Sequence, residues 1–215
     1  MKKMIGVLLA LLPFSSCAKE KAVLVPKSIE KNNMEIQKDW DVATFAGGCF
    51  WCTEAVFLQL DGVTKVVSGY IGGRTLNPTY QEISGGMTGH AEAIEITFDP
   101  KKITFGELLE IFFATHDPTT LNRQGADSGT QYRSEIFYHN EAQKQLATDY
   151  IALMTSENTF GKPIVTQISP ATAFYVAEDY HQNYYNQNKT QGYCSYVITP
   201  KIEKLQKMYK DKLKK

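Results

Sequence analysis

The sequence predicts a single α/β (α+β) domain built as a two-layer sandwich with a mixed sheet. Three observations predict it. Short β-prone runs alternate with segments of helical spacing, the pattern of helices laid on a sheet. Turn and cap residues stand at the borders of those segments. And 215 residues, 43% hydrophobic and 12% aromatic, can bury one sizeable core but are short for two independent domains.

Val42 to Ala46 is β-prone and is followed by Gly47-Gly48, so a first strand stops there. Cys49 to Leu60 sets Phe50, Ala55, Val56, Phe57 and Leu60 at mixed helical spacings, which suits a helix packed on a sheet. Asp61-Gly62 closes it, and Val63 to Ile71 reads as a second strand before Gly72-Gly73. Ile94 to Phe98 alternates apolar and polar residues, a strand with one buried face that Asp99-Pro100 ends. Thr104 and Glu107 form a capping box ahead of Leu108, Leu109, Ile111, Phe112 and Phe113, and Asp117-Pro118 stops that helix. Residues 119–133 are polar and glycine-bearing, hence a loop, and Ser134 to Tyr138 is a further strand. Asn140 with Gln143 opens a helix running to about Met154, and Ile164 to Ile168 reads as a strand between Pro163 and Pro170. Thr199-Pro200 offers an N-cap and a Pro at N1 for a Lys-rich terminal helix, read as a solvated face. This order fits a split βαβ, ferredoxin-like core.

The chain begins with Met1-Lys2-Lys3, an apolar run from Ile5 to Phe14, and Ser15-Ser16-Cys17, which together read as an export signal. The run is about half of the roughly 20 residues a membrane-spanning helix needs, so a permanent transmembrane anchor is the weaker reading. Small residues before Cys17 resemble the lipobox of bacterial lipoproteins, whose cysteine is acylated, although Phe14 stands where Leu is usual. A cleaved signal without lipid is the alternative. Residues 18–40 are Lys/Glu-rich and without sustained period, a tether. Basic and acidic residues number 23 each, and no basic block precedes the C-terminus, so nucleic acid is not an expected partner.

Of the four cysteines, Cys17 lies in the signal, Cys49 and Cys52 form a C-x-x-C, and Cys194 is near the end. At the first turn of a helix, Cys49 meets unpaired N–H groups and the positive end of the helix dipole, both of which favour thiolate. C-x-x-C alone also fits a thioredoxin-like redox pair or half of a zinc site. Zinc is disfavoured, because His90, His116, His139 and His181 have no ligand-spaced partners. His90-Ala91-Glu92 is an H-x-E, but the P-C-x-x-C of a zinc deaminase does not follow.

Gly48-Cys49-Phe50-Trp51 resembles the GCFW signature of peptide methionine sulfoxide reductase A. Other segments resemble that family's motifs in the same order: Gly69 to Gly73 (GY-x-GG), Pro78-Thr79-Tyr80, Gly89 to Glu92 (GHAE), Asp127 to Ser134 (D-x-G-x-QYRS), Ala177 to Tyr184 (AE-x-YHQ-x-Y) and Gly192-Tyr193-Cys194 (GYC). The similarity runs from about residue 42 to 200.

The resemblance implies reduction of the S-epimer of methionine sulfoxide, free or in proteins, without metal or organic cofactor. Cys49 attacks the sulfoxide sulfur and becomes a sulfenic acid. Glu92 supplies the proton, kept neutral by burial. Tyr80 and Tyr132 hydrogen-bond the sulfoxide oxygen, Phe50 and Trp51 wall the methyl group, and Asp127 positions the pocket. Cys194 is the first choice to resolve the sulfenic acid. Many relatives lack a cysteine at the position of Cys52, which could resolve directly, relay to Cys194 or stay inert; a bridge inside a helical turn would be strained. His181 is a candidate supporting residue. A thioredoxin-like dithiol is the expected donor. The competing reading is a thiol-disulfide oxidoreductase using the Cys49/Cys52 pair. The expected organisation is signal 1–17, tether 18–40, catalytic domain 41–199 and terminal helix 200–215, in a monomer held at the periplasmic or cell-envelope membrane through Cys17.

Overall fold

The computed structural model describes residues 40–215; the signal, Cys17 and the tether up to residue 39 lie outside the described residues. Strand β1 (Asp41–Gly47) leads into α1 (Phe50–Phe57) and β2 (Val63–Ile71), and a loop bearing the short α2 (Tyr80–Ser84) returns to β3 (Ala91–Phe98). Helix α3 (Phe105–Thr115), a small hairpin of β4 (Arg123–Gln124) and β5 (Asp127–Ser128), and β6 (Ser134–Tyr138) follow. The chain goes on through α4 (Glu141–Ser156), β7 (Gln167–Pro170), β8 (Tyr175–Val176), α5 (Tyr184–Gln187) and α6 (Thr199–Met208).

The sheet order is β7-β6-β1-β3-β2-β8. Its middle four strands are antiparallel neighbours. Joined by α1 and α3, they make the split βαβ, ferredoxin-like core, and the parallel β6–β7 pair makes the sheet mixed. Alternation decides which face is covered. Phe45, Ile94, Ile96, Phe98 and Ile136 meet α1, α3, α4 and α6 in one large core. The opposite residues Ala46, Ile71, Ala91, Ala93 and Phe137 are covered by Ala171 and Phe174 from the chain beyond β7. The helices thus share one face, with Phe45 stacked on Phe112 at 4.9 Å between centroids.

Helix α1 is buried on nearly all sides, Thr53 and Glu54 included, because Phe50, Cys52, Ala55, Val56 and Phe57 spread apolar surface around it. The sheet lies beneath it, and the C-terminal segment forms an outer cover. Helix α6 buries Ile202 and Leu205 in the same core, and Tyr209 donates to Glu110 at 3.1 Å.

Two of the three expected helix caps are present. Thr104 accepts from Glu107 N–H at 3.2 Å while Glu107 accepts from Thr104 N–H at 2.8 Å. Asn140 accepts from Gln143 N–H at 2.8 Å. Other expectations shift. The strand expected at 164–168 pairs with β6 over Gln167–Pro170, because the Val165 N–H is taken by the Pro118 carbonyl at 2.8 Å. Thr199 is not an N-cap: α6 continues from a π-helical turn over Cys194–Ile198, and the Thr199 hydroxyl donates to the Cys194 carbonyl at 3.0 Å. The polar loop 119–133 holds the β4–β5 hairpin, and α2 and β8 were not anticipated.

Candidate active site

Cys49 stands between β1 and α1 as the N-cap residue, with φ −56° and ψ 124°. Gly48 before it has φ +89°, a left-handed conformation, and an added Cβ would come within 2.5 Å of the Gln124 side chain. Gln124 in turn accepts from the Asp117 N–H and donates to the Asp117 carbonyl, fixing the floor under the turn.

The first helical N–H of α1, that of Phe50, is not left to the Cys49 sulfur. It donates to Glu92 Oε2 at 3.1 Å. Glu92 comes from β3, opposite Tyr70 of β2, and is only 2% exposed. Burial pushes its carboxyl up to about 8 despite the Phe50 hydrogen bond, with the charges of Asp127 and Cys52 adding to the rise. Near neutral pH it is an acid, as expected. The expectation of an acidic Cys49 is corrected. Burial, then the hydrogen bond with Cys52 and the charge of Glu92, push its thiol well above the ordinary range. The helix end that would have stabilised a thiolate is occupied by Glu92.

Cys52 is the more acidic of the pair. Its hydrogen bond with Cys49, with help from the Lys201 charge and Tyr193, lowers it to about 7 against the cost of burial. Cys49 and Cys52 bracket the first turn of α1, where the Cys49 carbonyl accepts from the Cys52 N–H at 3.0 Å. The Cys52 sulfur lies 3.7 Å from the Tyr193 hydroxyl, which donates to Asp127 Oδ2 at 2.7 Å. Cys194 follows Tyr193 directly and is fully buried; burial, then the Cys52 charge, raise its thiol. The three cysteines among the described residues, Cys49, Cys52 and Cys194, are free.

The walls are aromatic. Phe50 is buried, and Trp51 stacks on Tyr184 with centroids 3.7 Å apart and planes 8° apart. The Trp51 indole donates to His181 Nδ1 at 3.1 Å, which leaves the ring proton of the neutral imidazole on Nε2. Burial lowers the His181 pKa, so the ring stays uncharged, and it also lies against Phe50 and Tyr80. Tyr80 opens α2, whose Thr79/Glu82 capping box is complete. Its N–H is taken by Glu178 Oε1 at 2.8 Å, and the other Glu178 oxygen accepts from the Tyr70 hydroxyl at 2.8 Å. Tyr132 belongs to a 3-10 turn after Gly129. Burial, then the charge of Glu92, push the Tyr80 and Tyr132 hydroxyls up, so both remain O–H donors. The charge of Cys49 also acts on both phenols, so the four groups lie within electrostatic reach of one another.

The rest of the H-x-E is structural: His90 Nδ1 accepts from the Gly73 N–H at 3.0 Å and Nε2 contacts the Thr75 carbonyl at 2.8 Å. Gln182 plays the part of a strand rung. Its amide bonds both the Ser68 N–H and the Ser68 carbonyl beside β8, which carries the motif's end onto β2. Sequence reasoning missed Tyr193, Glu178 and Tyr184 as site residues; their only signal was membership of the GYC and AE-x-YHQ-x-Y segments.

Comparison with known proteins agrees with this geometry. The family model described as peptide methionine sulfoxide reductase matches residues 41–213. The chain is 61% identical over 172 residues to peptide methionine sulfoxide reductase MsrA of Deinococcus radiodurans, covering 80% of this chain and 84% of that one. It is 55% identical to the MsrA of Sulfolobus acidocaldarius, covering 80% of this chain and 97% of that one. Among solved structures, Mxr1 from Saccharomyces cerevisiae in reduced form is similar with a TM-score of 0.67 at 35% identity, covering 73% of this chain and 90% of that one. Methionine sulfoxide reductase A of Corynebacterium diphtheriae is similar with a TM-score of 0.63 at 34% identity, covering 72% and 78%. The chain therefore belongs to the peptide methionine sulfoxide reductase A family and is an oxidoreductase acting on methionine sulfoxide.

Proposed function

We propose that the site reduces the S-epimer of methionine sulfoxide, free or in proteins, with Cys49 as nucleophile, Glu92 as proton donor, and Cys52 and Cys194 as successive recycling thiols. The observation that carries this is a buried, neutral Glu92 bonded to the N–H that follows Cys49, with the Tyr80 and Tyr132 phenols held protonated within electrostatic reach of both. The sulfoxide oxygen takes hydrogen bonds from the Glu92 carboxyl and from Tyr80 and Tyr132, and the methyl group lies against Phe50 and Trp51. As the Cys49 sulfur attacks, Glu92 gives its proton to the oxygen and receives the thiol proton. The oxygen moves from substrate to Cys49; the products are methionine and a sulfenic acid. Cys52, the more acidic thiol, attacks that sulfenic sulfur, forming the Cys49–Cys52 disulfide and water. The Cys194 thiol then attacks the Cys52 sulfur, frees Cys49 as a thiol and leaves a Cys52–Cys194 disulfide. A dithiol donor of thioredoxin type reduces it. No prosthetic group enters these steps.

The basic start, short apolar run and Cys17 support export and lipid anchoring at the cell envelope, with a monomeric domain on a tether. The intact mass of the mature N-terminus tests the lipid. Dithiothreitol-driven turnover of the two sulfoxide epimers tests the activity: the account expects the S-epimer alone to be reduced, and none by Cys49→Ser. Equal turnover of both epimers, or turnover by the serine variant, would overturn it.

A further inference from the structure

Glu54 is a buried acid on α1, 2% exposed and unused by the chemistry above. Its Oε1 accepts from the Asn183 N–H at 2.8 Å. Its Oε2 and the nearby Ser68 hydroxyl are both buried, and neither has a hydrogen-bond partner at ordinary distance among the described residues. Asn183 adopts a left-handed conformation, φ 51°, at the point where the chain leaves β2's edge and begins to cover α1. From there the segment lays Tyr184 on Trp51, brings Tyr193 to Cys52 and enters the turn that starts at Cys194. The other contacts are the Trp51–Tyr184 ring stack, an edge contact of Tyr193 with Trp51 at 6.0 Å between centroids and the long thiol–phenol approach. Glu54 is thus the buried polar joint between the catalytic helix and the segment that delivers Cys194.

We propose that Glu54 is a positioning residue for recycling: its carboxyl holds the Asn183 turn on α1 so that Cys194 stands ready to attack the Cys52 sulfur. The proposal rests on the recycling role assigned to Cys194. A buried acid costs stability that an amide would not, and burial pushes the Glu54 carboxyl up to about 7. Glutamine keeps an oxygen acceptor for the Asn183 N–H, whereas alanine removes it.

The test separates two steps in the reduced full-length chain given one equivalent of S-methionine sulfoxide. Methionine release is read by quenched flow, and the Cys52–Cys194 disulfide by thiol blocking and peptide mass. Glu54→Ala should release methionine within about 2-fold of wild type but form the Cys194 disulfide about 10-fold more slowly, one hydrogen-bonded contact's worth. Glu54→Gln should restore that step. If the alanine variant does not fold, Glu54→Asp, one methylene short of the Asn183 N–H, carries the same expectation. Unchanged disulfide formation in the alanine or aspartate variant overturns the joint alone, and so does an equal slowing of both steps. A wild-type chain that never forms a Cys194 disulfide overturns the joint together with the recycling role beneath it.

Discussion

The Phe50 N–H meets Glu92 Oε2 at 3.1 Å across 42 residues of sequence. That contact seats Glu92 at the start of α1, where burial keeps it an acid, and burial, the Cys52 hydrogen bond and the Glu92 charge leave the adjacent Cys49 as a thiol. The burial of Glu92, which outweighs that hydrogen bond, carries a stability cost. The folded carboxyl titrates at about 8 against an ordinary 4.5, so the folded chain holds a proton that the unfolded chain has released. Stability from this group is full below pH 4.5 and falls as pH rises toward 8. Glu92→Gln should therefore be more stable than wild type by about 3 kcal/mol at pH 7, measured by denaturant melts; equal stability at pH 7 would mean that Glu92 is ionised there.

Tyr193 links Asp127 to Cys52. Tyr193→Phe deletes a hydroxyl that helps hold Cys52 near 7, so the pH midpoint of thiolate absorbance at 240 nm should move up. Formation of the Cys49–Cys52 disulfide at pH 7 should slow by about 3- to 10-fold, each unit of pKa being a factor of ten in thiolate. An unmoved midpoint would leave Tyr193 without an electrostatic part.

Gly48 combines φ +89° with a crowded site, where an added Cβ would lie 2.5 Å from the Gln124 side chain, whereas Gly161 has φ +65° and nothing within 4 Å. Alanine at 48 should cost about 3 kcal/mol, from strain plus overpacking. Alanine at 161 should cost about 1 kcal/mol from the left-handed backbone alone. Thermal melts of the two variants give the comparison directly, and equal losses would show that the Gln124 contact relaxes freely.

His116 ends α3 against Gly47, with Nδ1 at 2.6 Å from the Phe112 carbonyl and Nε2 at 2.8 Å from the Ser134 hydroxyl. Burial lowers its pKa from 6.5 to about 4. A depressed histidine stabilises the fold fully above pH 6.5, and that stability drains away as pH falls toward 4, about 3 kcal/mol in all. The His116 ring resonance should not titrate above pH 5. A midpoint near 6.5 would show that the ring is open to water.

Elements with several alternating or helically spaced residues, such as β2, β3 and α3, could be read in the sequence because their own side chains define the period. Those held by distant partners could not. Strand β8 spans two residues, with Gln182 extending β2's pairing beyond it, and α2 is a five-residue helix. The site divides in the same way. Cys49, Glu92, Tyr80 and Tyr132 were visible through their motifs, and the structure gathers them. The burial of Cys49 and the capture of the helix N–H by Glu92, which joins β3 to α1, were invisible, and burial, the Cys52 hydrogen bond and the Glu92 charge reversed the expected acidity of Cys49. The Glu54–Asn183 contact spans 129 residues and had no local signal.

The central claim is that a neutral Glu92 delivers the proton that lets Cys49 take the oxygen. Its most direct test is the single-turnover rate of methionine formation from the S-sulfoxide, followed against pH in wild type and Glu92→Gln. The account predicts a wild-type rate that falls as pH rises through about 8, where Glu92 loses its proton, and a Glu92→Gln rate lower by about 100-fold or more with Cys49 still open to alkylation. A Glu92→Gln enzyme that releases methionine at the wild-type rate would contradict it.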